Sequence, residues 1–393
     1  MRRETGRYEV AVAGGETVRA FVPHPLPPSD PPIDLAGSIG ERLRLAEHSL
    51  GRLELAGAMV PNLDWFIYAF VRKEAVLSSQ IEGTQATLVD LLTYEAAEPS
   101  SSPDAPTADV QEVCNYVDAL HFARGELANP YAPPLSIRLL NGTHQRLMVG
   151  VRGATKLPGE VRRSQNWIGG SRPGNAAFVP PPPHLLPEVL SALERYIHSD
   201  DSLPPLVRAG LLHVQFETIH PYLDGNGRIG RLLVSLLLEH WQLLTRPLLY
   251  LSLFFKRHRS EYYRRLNAVR MEGDWEGWLD YFLHGIATIS EEAVAGAQDL
   301  FTLVGADRAR LLEQADASVA ALRLFEALPR SPIITARKVM RELNVSRPTA
   351  GRAIDTLVKA AILVETTGRR RDRSFAYENY LKRLREGTEL GEP

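Results

Sequence analysis

With 393 residues, 44% of them hydrophobic and 23% charged, the chain is long enough for two or three domains and ordinary for a globular protein. It has no run of about 18 or more uninterrupted apolar residues, which excludes a helical membrane span. The start, Met1 to Glu9, lacks the apolar stretch of a secretory signal; the single cysteine, Cys114, excludes an internal disulfide, suits a reducing cytoplasm and reads as a core residue.

In chain order, a loose, proline-rich start (23–32) precedes helical patterns over 38–55, 65–82 and 87–97. A Ser/Pro-rich linker covers 98–107, and a helix carrying Val113 to Tyr116 begins a central domain. A further helix is predicted over 135–149. Between Gly159 and Pro183, the runs Trp167-Ile168 and Ala177-Phe178-Val179 flank a glycine-rich stretch and read as a β-hairpin. Helices over 186–198 and 206–219 follow; His213 on the second is read as structural. One helical segment is predicted over 252–267, Gly273 to Trp278 closes the core, and an alanine-rich helical stretch over 286–318 bridges to the C-terminal region.

That region differs in charge. The net charge is −2, yet residues 319–385 hold fifteen Lys and Arg against six Asp and Glu, leaving the remainder strongly acidic. Helices are predicted over 320–328, 335–343 and 347–361, the last with Ser346 as its N-cap. Two short strands within 362–377 flank the basic tip Arg369 to Arg373. The pattern resembles a winged helix-turn-helix, with Arg347, Thr349 and Arg352 on the recognition helix and Arg369, Arg370 and Arg371 on the wing. The resemblance implies DNA as a partner, with protein docking or dimerisation as the rival use of the same fold.

The segment richest in chemistry is His220-Pro-Tyr-Leu-Asp-Gly-Asn-Gly-Arg-Ile-Gly-Arg231, followed at once by an apolar helical pattern. Glycine-rich backbone opening a helix turns N–H groups toward one point, where the helix dipole also favours an anion. Arg228 and Arg231 are three apart on the first turns of that helix and reach the same region. Asp224 beside a phosphate site makes sense with a cation between them, and His220 is the one group here able to take a proton near neutral pH. Asp-Gly-Asn-Gly by itself is also what a tight turn uses. No Gly-Lys-Ser/Thr follows, so the loop is not a Walker A motif, and it lacks the acidic ligands of a calcium loop.

The whole string resembles the signature of the Fic family, His-Pro-Phe-x-Asp/Glu-Gly-Asn-Gly-Arg-x-x-Arg, with Tyr222 in place of Phe. The resemblance implies a mainly α fold, a Fic-type helical bundle with a β-hairpin flap, here followed by the winged-helix domain. It divides the chain into an N-terminal helical region (1–107), a catalytic core (108–285) with its flap at about 159–183, a helical linker (286–318) and a C-terminal domain (319–393). It also implies transfer of AMP from ATP to a Tyr, Ser or Thr hydroxyl of a target protein or of the chain itself, with release of pyrophosphate. His220 would then be the base, and Asp224 the ligand of Mg²⁺. The residues from Gly225, Asn226 and Gly227 through Arg228, Ile229, Gly230 and Arg231 would bind the nucleotide phosphates. In relatives the region after this helix walls the nucleobase, which makes Arg257 or Tyr263 candidates here. Gly227 departs from the lysine typical of members that phosphorylate their targets.

Upstream, Ser78-Ser-Gln-Ile-Glu82-Gly83 resembles the family's inhibitory motif, Ser/Thr-x-x-x-Glu-Gly/Asn. In that resemblance Glu82 pairs with Arg231 and withholds it from ATP, so the brake is built into the chain. The flap would pair strand to strand with the target, with Arg162 and Arg163 nearby. Two alternatives stay open: a hydrolase that removes AMP using Glu82, and a nucleotide-sensing DNA-binding regulator. A homodimer is compatible with the sequence.

Overall fold

The fold is described from a computed structural model covering residues 3–59, 63–97, 107–368 and 372–390. The predicted linker 98–107 lies almost wholly outside the described residues. The chain opens with an antiparallel hairpin, β1 (Gly6–Ala13) and β2 (Glu16–Pro23), turning at Gly14 and Gly15, both at positive φ. Two left-handed residues in succession match the right-handed twist of paired strands, which is why glycines stand there. The hairpin before Pro23 is absent from the predicted elements, whereas residues 24–32 form no helix or strand beyond an isolated bridge between Ser29 and Pro32.

The helices that follow are α1 (Ser38–Met59), α2 (Leu63–Ile81), α3 (Leu88–Ala96), α4 (Ala108–Ala128), α5 (Ile137–Leu147), α6 (Leu186–Ile197), α7 (Pro205–Ile219) and α8 (Asn226–His240). Local chemistry sets several starts. Thr87 and Asp90 exchange side-chain and backbone bonds in a capping box before α3, and the hydroxyls of Thr107 and Ser136 cap α4 and α5. Such caps are worth about 1 kcal/mol each. Helix α7 is buried along its length from Leu206 to Ile219, and α2, α4, α5 and α7 all pack on α8. The hydrophobic core thus surrounds the helix that follows the glycine-rich loop, and a helix apolar on every side is what such a position requires.

Residues 252–267 do not form one helix. Helices α9 (Ser252–Arg257) and α10 (Arg259–Glu272) meet at His258, whose backbone leaves helical geometry (φ −116°, ψ 40°). Helix α11 (Trp275–Leu312) starts at Asp274, which caps the Gly277 amide, and runs 38 residues without interruption. It packs along α1 and crosses position 286, so the end of the core and the start of the linker share one helix.

The C-terminal region contains α12 (Val319–Ala327), β3 (Ile333–Thr335), α13 (Ala336–Leu343), α14 (Arg347–Lys359), β4 (Val364–Glu365), β5 (Ser374–Ala376) and α15 (Glu378–Leu384). Its strands form an antiparallel sheet in the order β3-β5-β4. Ser346 stands at the start of α14, but its hydroxyl meets Thr349 Oγ1 at 2.9 Å instead of capping a backbone amide. The unit is fastened to the rest: the Tyr377 hydroxyl donates to the buried Asp307 of α11 at 2.6 Å, and α15 packs on α11. Beyond α15 the chain returns to α2 and α9, where Gln80 Nε2 of α2 donates to the Thr388 carbonyl at 2.9 Å and Lys256 Nζ of α9 to that of Glu389 at 2.6 Å.

The segment 159–183 is not a regular hairpin. Ile168 and Phe178 form a single antiparallel bridge, with N–H to carbonyl distances of 2.8 and 3.1 Å, around a short 3₁₀ turn at Pro173–Asn175. Pro180 to Pro183 have no N–H to continue a ladder. The segment is steadied by β2 instead, through the Phe21 N–H to Val179 carbonyl bond at 2.9 Å. Among the described residues no helix is long and apolar enough to cross a membrane.

Candidate active site

His220 ends α7 in a left-handed conformation (φ 50°, ψ 61°), and Gly225 (φ 77°) begins α8. Between these bends the loop folds on itself through Asn226, whose side chain accepts from the Tyr222 N–H at 2.8 Å and donates to the Tyr222 carbonyl at 2.8 Å. Tyr222 is buried, bonds Asn141 through its hydroxyl at 2.9 Å and stacks on His144 with ring centroids 3.9 Å apart. His144 accepts the Gly159 N–H at Nδ1 (2.9 Å), so its proton sits on Nε2, which faces the Asp224 carbonyl at 3.0 Å. Burial foremost lowers its pKa to about 4, keeping it neutral. The aromatic at position 222 thus serves to pin the loop against α5.

Among the described residues no side chain caps the start of α8, and Gly225, Asn226 and Gly227 line a cleft of about 560 Å³. Uncapped amides at a helix N-terminus form an anion site. The cleft is also lined by His220, Asp224, Arg231 and Glu82, by Lys156, by Asn166 to Gly169 of the flap, and by Tyr262, Tyr263, Leu266 and Arg270. His220 is half-buried; burial, then the charges of Arg270 and Arg162, lower its pKa to about 3, so the imidazole is neutral and able to accept a proton at neutral pH. Its carbonyl is held by Arg162 Nε at 2.9 Å. Arg162 also donates to the Pro181 carbonyl at 2.6 Å, so this buried arginine ties the flap to the loop, whereas Arg163 is exposed and bonds Glu160.

Arg231 is 3% exposed and fully engaged on one side. Its Nε donates to Ser78 Oγ at 2.9 Å, and Nη2 to the Ser78 carbonyl at 2.8 Å and to Glu82 Oε1 at 2.7 Å. Burial pulls this guanidinium's pKa down, but Glu82 and other acidic neighbours hold it above its ordinary value. Gly83, at φ +97°, turns the chain just past α2 so that Glu82 faces α8. A side chain at Gly227 would collide with the Glu82 carboxylate and crowd Arg231, so the glycine lets the two segments approach.

Several predicted residues stand elsewhere. Arg228 is 1% exposed and pairs with Glu112 at 3.3 Å, beneath the loop and not in the cleft; Glu112 also accepts the Thr84 hydroxyl at 2.9 Å. Ile229 is fully buried in the core, and the Gly230 carbonyl faces His213 Nδ1 at 3.0 Å. His213 is buried and its Nε2 lies 2.8 Å from the Tyr262 hydroxyl, in keeping with a structural part. Arg257 does not join the cleft. The break at His258 turns it toward α11, where it pairs with Glu292 at 2.6 Å, while Tyr263 of α10 does line the cleft. Arg347 and Arg352 are exposed on α14 and Thr349 is half-buried, whereas Arg369, Arg370 and Arg371 lie outside the described residues. Cys114 is half-buried against the core.

Residues unmarked by any motif complete the site. Lys156 Nζ lies 3.1 Å from Asp224 Oδ2, and Arg152 Nη2 donates to the Glu82 carbonyl at 3.4 Å. Glu217, one helical turn before His220, is buried in the cleft wall, and its Oε1 has no partner among the described residues. Burial raises its pKa to about 7 from 4.5. The folded state therefore retains a proton that the unfolded chain loses between these values, and stability falls as pH rises through that window. Glu217→Gln is expected to remove this part of the decline, roughly 3 kcal/mol at most. Urea unfolding at about pH 5 and about pH 7.5 reads it; an unchanged decline would refute the buried, unpaired carboxyl.

Comparison with known proteins agrees with this geometry. Residues 41–124 match the Fic/DOC family N-terminal domain, and residues 134–238 match the Fic/DOC family domain. A protein adenylyltransferase Fic of Drosophila ananassae is 33% identical over 138 residues, covering 35% of this chain and 24% of that protein. The chain thus spans about a quarter of that relative's length. The structure of a Fic family protein from Desulfovibrio desulfuricans shares the fold with a TM-score of 0.56 at 20% identity, covering 88% of this chain and 97% of that one. A Fic domain containing signaling protein from Bacteroides thetaiotaomicron gives 0.51 at 19% identity, over 65% and 95% of the two chains. With its glycine-rich loop, the helix bundle around that loop and both matched segments in agreement, the chain carries a Fic/DOC family domain over residues 134–238, preceded by that family's N-terminal domain over residues 41–124.

Proposed function

We propose that the chain is an autoinhibited, magnesium-dependent protein adenylyltransferase, moving AMP from ATP to a Tyr, Ser or Thr hydroxyl of a target protein or of itself. The observation that carries this reading is one cleft holding a neutral imidazole, an uncapped helix N-terminus and an arginine engaged by Glu82. The target oxygen attacks the α-phosphorus while His220 takes its proton; the bond from the α-phosphorus to the β-bridging oxygen breaks, and pyrophosphate leaves. The amides of Gly225 to Gly227 offer donors to the phosphate oxygens, and Arg231, once free of Glu82, takes the terminal phosphates.

The donor set suits Mg²⁺ shared with a nucleotide. Asp224 offers one carboxylate, and among the described residues no group of three or more His, Cys, Asp or Glu could hold a metal alone. Magnesium commonly takes one or two carboxylates and completes its shell with phosphates and water. When bound, it would neutralise phosphate charge beside Asp224.

The test is transfer from ATP carrying label at the α- or the γ-phosphate. AMP transfer puts only the α label into protein; entry of the γ label would mean phosphorylation and overturn the reading.

For the C-terminal region we propose a winged-helix arrangement in which α14 is the recognition helix for duplex DNA. The exposed Arg347 and Arg352 on α14 and the basic excess of 319–385 support it. Full-length protein is expected to retard duplex DNA, and Arg347→Ala with Arg352→Ala to weaken binding about tenfold or more. Equal retardation by both proteins would refute this docking face.

A further inference from the structure

We propose, on the adenylyltransferase reading, that Lys156 is a further phosphate-binding residue of this cleft, one that exchanges Asp224 for a nucleotide phosphate when ATP enters with its divalent cation. The loop after α5 is built around Asp224. Gly153 (φ +84°) brings the backbone so close that a Cβ there would lie 2.7 Å from Asp224 Oδ2, and Lys156 donates its own N–H to the Gly153 carbonyl at 2.8 Å. This turn aims the ammonium at Asp224 Oδ2, 3.1 Å away.

Both oxygens of Asp224 are thereby occupied, Oδ1 by the Gly225 N–H at 2.7 Å, with the buried Arg228 Nη2 3.8 Å away, and Oδ2 by Lys156. A divalent cation on this carboxylate needs the Oδ2 lone pair that the ammonium now uses, and two cations on one oxygen repel. Lys156 must then leave, and the anions nearest to it are the phosphates that arrive with the cation. It is also the cation best placed to move. Of the three cations lining the cleft among the described residues, Arg231 is locked by Ser78 and Glu82, and Arg270 by the Glu217 carbonyl and the Thr218 hydroxyl. Lys156 has a side chain 51% exposed and a flexible four-carbon stem. In the nucleotide-free protein it stands in for the metal, keeping Asp224 oriented and its charge balanced.

This exchange makes a prediction that a merely structural lysine does not. Without metal, Lys156 stays on Asp224 and contributes little to nucleotide binding; with metal, it contributes a charge-assisted bond. In full-length Glu82→Gly protein, the added substitution Lys156→Ala is expected to weaken α,β-methylene-ATP binding about tenfold to a hundredfold with Mg²⁺. In EDTA the same substitution should change affinity by less than about threefold, and Lys156→Arg should retain most of the Mg²⁺-dependent affinity. Calorimetry reads all six conditions. An equal loss with and without Mg²⁺, or no loss in either, would overturn the proposal while leaving the adenylyltransferase reading intact. If Glu82→Gly protein with Lys156 present binds no analogue, that reading falls and this one with it.

Discussion

Glu82→Gly is expected to raise the initial rate of AMP transfer from α-labelled ATP by about a hundredfold or more over the parent protein. The expectation follows from where Glu82 stands. Its carboxylate holds Arg231 Nη2 at 2.7 Å, in a cleft where a second anion on the same nitrogen must displace it. A pair that must break before productive binding lowers the competent population by the factor its free energy sets, and a few kcal/mol amounts to a hundredfold or more. Arg231 keeps its two bonds to Ser78 in the variant, so it stays aimed at the cleft. Glycine is tolerated at position 82 because α2 ends at Ile81. A rate within about twofold of the parent would sink the brake and leave Glu82 as a surface carboxylate or, in the AMP-removing alternative, a water-positioning group.

In that activated background His220→Ala is expected to abolish transfer, with a loss of about 10²- to 10⁴-fold. The imidazole is neutral and is therefore available as a proton acceptor instead of as a cation. Nucleotide affinity should consequently stay within a few-fold, which separates loss of the base from collapse of the site. Position 220 has φ 50°, where a non-glycine residue is strained, so His220→Asn provides a second variant better suited to the left-handed region. Both variants should bind the ATP analogue and fail to transfer. Transfer surviving in both would remove His220 from its role as base.

The candidate loop could be located from sequence because its residues are contiguous. His220 to Arg231 fall within one loop and one helix start, and Ser78 with Glu82 lies on a second recognisable string. The partners of that loop could not be read so directly. Lys156, His144 and Glu112 reach it from 68, 80 and 116 positions away, and each alone looks like an ordinary polar residue. Arg257 was misplaced by one backbone irregularity: a single bend at His258 sends it to Glu292 and brings α10 to the cleft. The bland spacing of 252–267 gave no sign of that bend. By contrast the β1–β2 hairpin did carry a signal, two alternating runs either side of Gly14-Gly15, hidden by the prolines that follow. The flap segment has strand-like composition, yet its prolines leave one bridge where a ladder was expected.

Ser78 and Glu82 belong to the same polypeptide as Arg231, and this fixes how the contact responds to its surroundings. An inhibitor supplied by a second protein comes off when the pair is diluted or when that protein is degraded. A tethered acceptor remains at an effective concentration on the order of millimolar or more, however few molecules are present. On the autoinhibited reading, the fraction of molecules with Arg231 released is expected to be independent of how much protein a solution contains, and the isolated α2 segment is not expected to deepen the inhibition.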